Sequence, residues 1–318
     1  MPEKIPISDL HIKPVFEERY RKILGDRYEE YIDYSTSYIR KAIRVNTLKI
    51  DVKRLVSRLK TRWDLEQVPW AKEGFYIRFK GSDERYDIGN LPEHALGYIY
   101  VQDPASMIPP IVLSPKPGDK VLDMCAAPGS KTTQLVALMK NQGVIVANDI
   151  NADRIKALGL NLQRCGVANT IITINRGMQL AHSGNTFDRV LVDAPCSGTG
   201  TIRRSLSSLN MWSPHLVRKF AKEQKHLIET GFSVLKKSGT LVYSTCTQEP
   251  EENEGVVSWL LEKYPDAKVE EIKLKIKRSK AITSWDGEDY HSSVEKCLRI
   301  YPQDNDTEGF FVAKIKKK

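Results

Sequence analysis

From Lys120 onward, short apolar stretches alternate with helical ones: "KVLDMC" and a helix from Ser130, "GVIVAND" and a helix from Ala152, then "NTIITI", "FDRVLVD", a helix near 214–236 and "GTLVYST". Strands that are apolar almost throughout, separated by helices, need a parallel sheet covered on both faces. This pattern predicts a Rossmann-like α/β domain whose ligand lies at the carboxyl ends of its strands. Beyond it, "EPEENEGVVSWLLEKY" is a predicted helix with acidic residues at its favourable N-terminal end, and "AKVEEIKLKI" with "GFFVAKI" are expected to close the domain as a strand pair.

The front third differs. Residues 14–31, "PVFEERYRKILGDRYEEY", have helical spacing; "AIRVNTLK" reads as a strand, Asp51 as the cap of a helix over "VKRLVSRLK", and "GFYIRF" and "LGYIYVQD" as further strands. These form an α+β module, and prolines between Gln102 and Pro117 mark its end. Two domains are expected, residues 1–105 and 106–318. A net charge of +9 suits a polyanionic partner. The start "MPEKIPISDL" lacks a basic, apolar leader, and no apolar run approaches the roughly 20 residues of a membrane span. Five dispersed cysteines with no CxxC, and six scattered histidines, point to a reducing cytoplasmic setting without a metal site. "KLKIKRSK" and the terminal "KIKKK" read as solvated faces.

The first strand of the α/β pattern runs into "VLDMCAAPGSKT", with Asp123 at its end. G-x-G-x-x-G is absent, since only Gly129 is present; a P-loop fails because Ser130 precedes Lys131 and Cys125 stands where the first glycine belongs. The next strand ends at Asp149, 26 residues after Asp123, where a carboxylate can accept from both ribose hydroxyls. A nucleoside without a pyrophosphate fits, and S-adenosylmethionine is such a ligand. The alternative is that Asp149 only caps the helix of "NADRIKAL".

Cys196 in "DRVLVDAPCSGTG" and Cys246 in "GTLVYSTCT" follow strands expected to be adjacent, so the two thiols can face one another across one cleft. Packing, a disulfide and catalysis are the alternatives, the disulfide disfavoured by compartment. Cys125, Cys165 and Cys297 read as packing residues.

Taken in order, "DMCAAPGSKT", "VDAPCSGTGT" and "VYSTCTQEPEENE" resemble motifs I, IV and VI of the Sun-type RNA (cytosine-5) methyltransferases. "RVNTLK", "VQDPASM" and "RIYPQDNDTEGFFVAKI" resemble that family's outer motifs, so the likeness runs from about Arg44 to Ile315. It implies a seven-stranded S-adenosylmethionine-dependent methyltransferase sheet behind an N-terminal RNA-binding module. It implies Cys246 as the nucleophile, Cys196 as an aid to product release, Asp193 on the cytosine edge and Lys131 near the reacting centre. For the cofactor it implies the loop Cys125, Ala126, Ala127, Pro128, Gly129, Ser130 and Lys131, with Asp149, Arg154 and Asp193. Where many members place an adenine-contacting aspartate, this chain has Asn175 and Arg176, so adenine is expected on backbone groups or the Asn175 amide. Arg203, Arg204, Trp212 and His215 are expected to meet RNA, with core packing as the alternative for Trp212. The expected substrate is tRNA, with ribosomal RNA the runner-up, and the enzyme is expected to be a monomer. A non-catalytic RNA-binding or assembly factor is the competing class, and the paired cysteines with Asp193 argue against it.

Overall fold

The computed structural model describes residues 12–81 and 87–318; the start read above as lacking a leader lies outside them. Helices α1 (Pro14–Leu24) and α2 (Tyr28–Ser35) replace the single helix expected over 14–31, because the chain turns at Gly25, where φ is 56°. Their buried rings stack, Phe16 on Tyr20 and Tyr20 on Tyr31, and Phe16 meets Trp212 edge to face with centroids 5.0 Å apart.

Strand β1 (Ala42–Val45) is followed by α3 (Val52–Leu59), capped as expected by Asp51, which accepts from the Arg54 N–H at 2.8 Å. Strands β2 (Trp63–Gln67) and β3 (Gly74–Phe79), helix α4 (Pro92–Ala95) and β4 (Ile99–Val101) complete an antiparallel sheet in the order β2-β3-β1-β4. Strand β2 escaped the sequence reading because it is an edge strand burying only Trp63, so it shows no apolar alternation. The prolines after Gln102 are not a bare linker. Pro109 and Pro110 lie in the first turn of a buried helix, α5 (Ile108–Leu113), where no backbone donor is needed.

The second sheet is built from β5 (Lys120–Asp123), α6 (Ser130–Met139), β6 (Val144–Asp149), α7 (Ala152–Cys165), β7 (Thr170–Ile174) and β8 (Phe187–Asp193). There follow α8 (Ser207–Met211), α9 (Pro214–Ser233), β9 (Leu235–Thr245), α10 (Glu254–Lys263), β10 (Ala267–Glu270), the hairpin β11 (Ser284–Trp285) and β12 (Glu288–Asp289), β13 (Leu298–Ile300), α11 (Pro302–Asn305) and β14 (Phe310–Lys317). The order is β10-β14-β9-β8-β5-β6-β7, seven strands, with β13 as an eighth beside β14. Strands β5 to β9 are mutually parallel, and the expected closing pair forms as β10 against β14. Alternate residues fill two cores: Val121, Leu191 and Val242 on one face, Leu122, Val190, Val192 and Leu241 on the other. Chain order reverses between β5 and β8, so the loops leaving those strands diverge and open a crevice at their carboxyl ends.

The acidic run before α10 is not the N-terminal decoration of a helix. The helix starts at Glu254, and the preceding acids lie in a loop with individual partners. Glu249 and Glu251 bind Arg19; Glu249 also accepts from Tyr20 and Trp212. Glu254 binds Arg299, both side chains fully buried, and Arg299 also donates to the Gln248 carbonyl at 2.8 Å. Arg299→Met leaves Glu254 buried without its cation. The expected loss, read from the urea unfolding midpoint, is about 3–5 kcal/mol.

Candidate active site

A cleft of about 620 Å³ opens at the switch point, walled by the loop after β5, the ends of β8 and β9, and residues 39–42 and 100–103 of the N-terminal module. Lys131, Asp193, Cys246, Glu308 and Phe310 line its floor. In the parallel register of β8 and β9, Asp193 lies opposite Ser244. The Ser244 hydroxyl donates to Asp193 Oδ1 and the Lys131 ammonium to Oδ2, both at 2.7 Å. Burial works against the charge on Lys131, but the Asp193 carboxylate outweighs it and raises the pKa. Ser244 was missed by motif reading; the signal was the strand register, which pairs it with Asp193.

The same register carries the next residues out of the sheet together, Cys246 into the cleft lining and Cys196 against it. Cys196 Sγ and Cys246 Sγ are 3.3 Å apart, in hydrogen-bond contact, and all five cysteines are free thiols. This is the facing pair that the two strand ends predicted. The Cys196 thiol is pushed well up, first by that hydrogen bond and then by burial. Glycines close the backbone around Cys246: the Gly200 N–H donates to the Cys246 carbonyl and the Gly309 N–H to that of Gly200, each at 2.9 Å. A Cβ on Gly200 would lie 2.2 Å from the Gly309 oxygen, so no side chain fits there. Ser197 and Thr199 fasten the turn after Cys196 to Thr247 by hydroxyl contacts at 2.7 and 3.0 Å.

On the opposite wall, the loop from Cys125 to Ser130 turns at Gly129, whose φ is 103° and where a Cβ would press 2.9 Å from Leu158. Asp149 is buried; its Oδ2 accepts from the Ala127 N–H at 3.2 Å and lies 3.3 Å from Arg154. The cap of α7 is Asn151, which accepts from the Asp153 and Arg154 N–H groups, so the capping alternative for Asp149 falls. Asp123 is buried with one oxygen held by Thr132 at 2.8 Å and the other, Oδ1, without a partner among the described residues; burial pushes its pKa up to about 7. A loop that leaves a backbone cradle, a buried acid and an unsatisfied acceptor at one strand edge fits a nucleoside ligand that brings its own donors. Cys125 is half-buried on this wall. The backbone of Asn175 is held on both sides by Asn148, and its side chain is exposed outside the cleft lining.

Two of the residues expected to meet RNA are structural. Arg203 is buried, binding Ser37, the Tyr38 and Thr307 carbonyls and Asp306. Trp212 is 1% exposed and donates to Glu249 at 2.8 Å, which decides it for packing. For Trp212 this is the packing alternative; Arg203 was misplaced because the segment after Cys196 folds inward onto α1 and α2. Arg204 does line the cleft, 3.6 Å from Glu308, and His215 is exposed at the start of α9. In "KLKIKRSK" the lysines are exposed while Leu274 and Ile276 pack on the core, as in a solvated face. Among the described residues no helix is long and apolar enough to cross a membrane, and no cluster of His, Cys, Asp or Glu is placed to hold a metal.

Residues 110–316 match the family described as 16S rRNA methyltransferase RsmB/F, and residues 12–104 the N-terminal domain of 16S rRNA methyltransferase RsmF. The tRNA (cytosine(49)-C(5))-methyltransferase of Pyrococcus abyssi is 48% identical over 301 residues, 94% of each chain. The ribosomal RNA small subunit methyltransferase F of Shewanella amazonensis is 44% identical over 293 residues, and the chain spans 60% of that relative's length. A methyltransferase homolog protein from Pyrococcus horikoshii has a crystal structure that superposes with a TM-score of 0.86 at 39% identity, covering 96% of this chain and 95% of that one. NSun6 from Pyrococcus horikoshii, solved with SFG, an analogue of S-adenosylmethionine, gives 0.83 at 25% identity, covering 96% and 98%. The chain therefore belongs to the RsmB/F, Sun-type family of S-adenosylmethionine-dependent RNA cytosine-5 methyltransferases.

Proposed function

We propose that this enzyme methylates carbon 5 of cytosine in tRNA, with residues 1–105 holding RNA, residues 106–318 doing the chemistry, and one chain sufficing. The observation that carries the mechanism is the contact of the two thiols at 3.3 Å, with Cys246 lining the same cleft as the Asp193–Lys131 ion pair. Identity along nearly the whole of both chains supports tRNA. The ribosomal reading rests on relatives of which this chain spans 60%.

Carbon 5 of cytosine is a poor nucleophile, so a thiolate must first add to carbon 6 and turn the ring into an enamine. Cys246, which lines the cleft, is assigned that bond. Protonation of ring nitrogen 3 favours the addition, and the Asp193 carboxyl, fixed by Ser244 and Lys131, is placed to hold that edge and its proton. S-adenosylmethionine, when bound, supplies an electrophilic methyl group. The Ala126–Lys131 loop would hold its methionine and ribose portions, with Cys125 alongside; Asp149 and Arg154 would hold the ribose hydroxyls, and backbone groups the adenine edge, since the Asn175 side chain is exposed outside the cleft lining. Cys196, as the thiolate once its own proton has passed to solvent, then takes the proton from carbon 5 and becomes the thiol. The C–H electron pair restores the ring double bond and expels Cys246 as thiolate.

Incubation with methyl-labelled S-adenosylmethionine and unmodified tRNA should label carbon 5 of cytosine; label in ribosomal RNA alone would replace the tRNA assignment. Cys246→Ala should abolish turnover. Cys196→Ala should retain addition and accumulate a covalent RNA complex visible on a denaturing gel, and normal turnover without that complex would remove its release role. Asp149→Ala should weaken cofactor binding about 10- to 100-fold by calorimetry, the loss of charge-assisted hydrogen bonds.

A further inference from the structure

Glu308 places a carboxyl in the cleft that no hydrogen-bond donor holds. Its side chain is 6% exposed and lines the floor, yet among the described residues its nearest polar partner is Arg204, at 3.6 Å. Asp103, beside it, has both oxygens engaged. Its Oδ1 accepts from the Ala105 N–H at 2.8 Å and its Oδ2 from the Glu308 N–H at 3.3 Å, which fixes the Glu308 backbone. A buried acceptor left open in the wall of a binding cleft is satisfied by a donor on the ligand.

The strand register selects that donor. Asp193 stands opposite Ser244, two residues before Cys246 on β9. On the other side of β9, Phe311 pairs with Thr245 and the chain ahead of it lies further out: a Cβ on Gly309 would be 2.2 Å from the Gln248 amide, two residues past Cys246. Along β9 the order is therefore Asp193, Cys246, Glu308, with the nucleophile between two carboxyls. In cytosine, nitrogen 3 and carbon 6 are opposite corners of the ring, and the sugar leaves from nitrogen 1, next to carbon 6. A ring with nitrogen 3 at Asp193 and carbon 6 at Cys246 carries its ribose toward Glu308.

We propose that Glu308 is a specificity residue that accepts a hydrogen bond from the 2′-hydroxyl of the target cytidine, so that the site takes a ribonucleotide and discriminates against a deoxyribonucleotide. The inference rests on the placement of the base against Asp193 and Cys246 proposed above. The 2′-hydroxyl is the donor that distinguishes RNA from DNA, and a carboxyl oxygen accepts it whether or not the group carries a proton. Arg204, with its side chain 72% exposed, offsets the repulsion between Glu308 and neighbouring phosphates.

The probe is tRNA in which the methylated cytidine alone is replaced by 2′-fluorocytidine, which keeps an RNA-like sugar pucker but cannot donate. With the unaltered enzyme, kcat/KM for methyl transfer should fall about 10- to 100-fold from the ribose tRNA to the fluoro tRNA, the loss of one hydrogen bond to a carboxyl group. In Glu308→Ala that ratio should shrink to within about twofold of unity. Glu308→Gln, which keeps an acceptor oxygen, should retain part of it. A purely structural role would slow both tRNAs alike and leave the ratio unmoved. An unaltered enzyme that uses both tRNAs equally overturns the proposal without any variant, as does a Glu308→Ala enzyme with the unaltered ratio. Either result, with methyl transfer to the ribose tRNA intact, overturns this proposal alone; no transfer to the ribose tRNA overturns the tRNA reading and this proposal with it.

Discussion

The parallel hydrogen bonding of β8 to β9 decides where the chemistry lies. Because Asp193 stands opposite Ser244, the residues that follow each strand leave the sheet at the same height, and two thiols 50 positions apart in sequence arrive in contact. A slip of one residue would send Asp193 and Ser244 to opposite faces and part the cysteines. Adjoining β5 makes the third wall of the same edge, so Lys131 of α6 reaches Asp193 without a long or mobile connection.

Around that edge, specificity of shape comes from small residues and buried polar ones. Gly200 and Gly309 let three backbone segments meet at Cys246, a closeness no side chain would permit. Arg44 does comparable work between the domains. Buried on β1, it donates to Gln102, to the Ser130 carbonyl and to Thr133, tying the N-terminal sheet to the first turn of α6. That turn carries Lys131, so the module expected to hold RNA and the group that steadies Asp193 share one rigid joint.

Much of this was legible in the residues. Apolar runs separated by helices gave the parallel sheet, Asp51 the cap of α3, and the two strand-end cysteines their meeting. Where the reading failed, the cause was tertiary. Gly25 looked neutral within a helical period but ends α1; β2, half exposed at an edge, carries almost no pattern. Arg203 has the composition of an RNA surface and is buried, and Trp212 takes the packing alternative, because α1 and α2 cover them, a contact between residues far apart in the chain. The acids of "EPEENE" resembled a helix terminus, and only the arginines they meet, Arg19 and Arg299, reveal them as struts.

Arg19 and the loop it braces lie about 230 residues apart. Closing so wide a separation costs the entropy of the intervening segment, which the contact and the packing around it must outweigh. On a ribosome, α1 therefore emerges long before its partners exist, and the acids after Cys246 gain Arg19 only when the first helix is met by a segment made some 230 residues later.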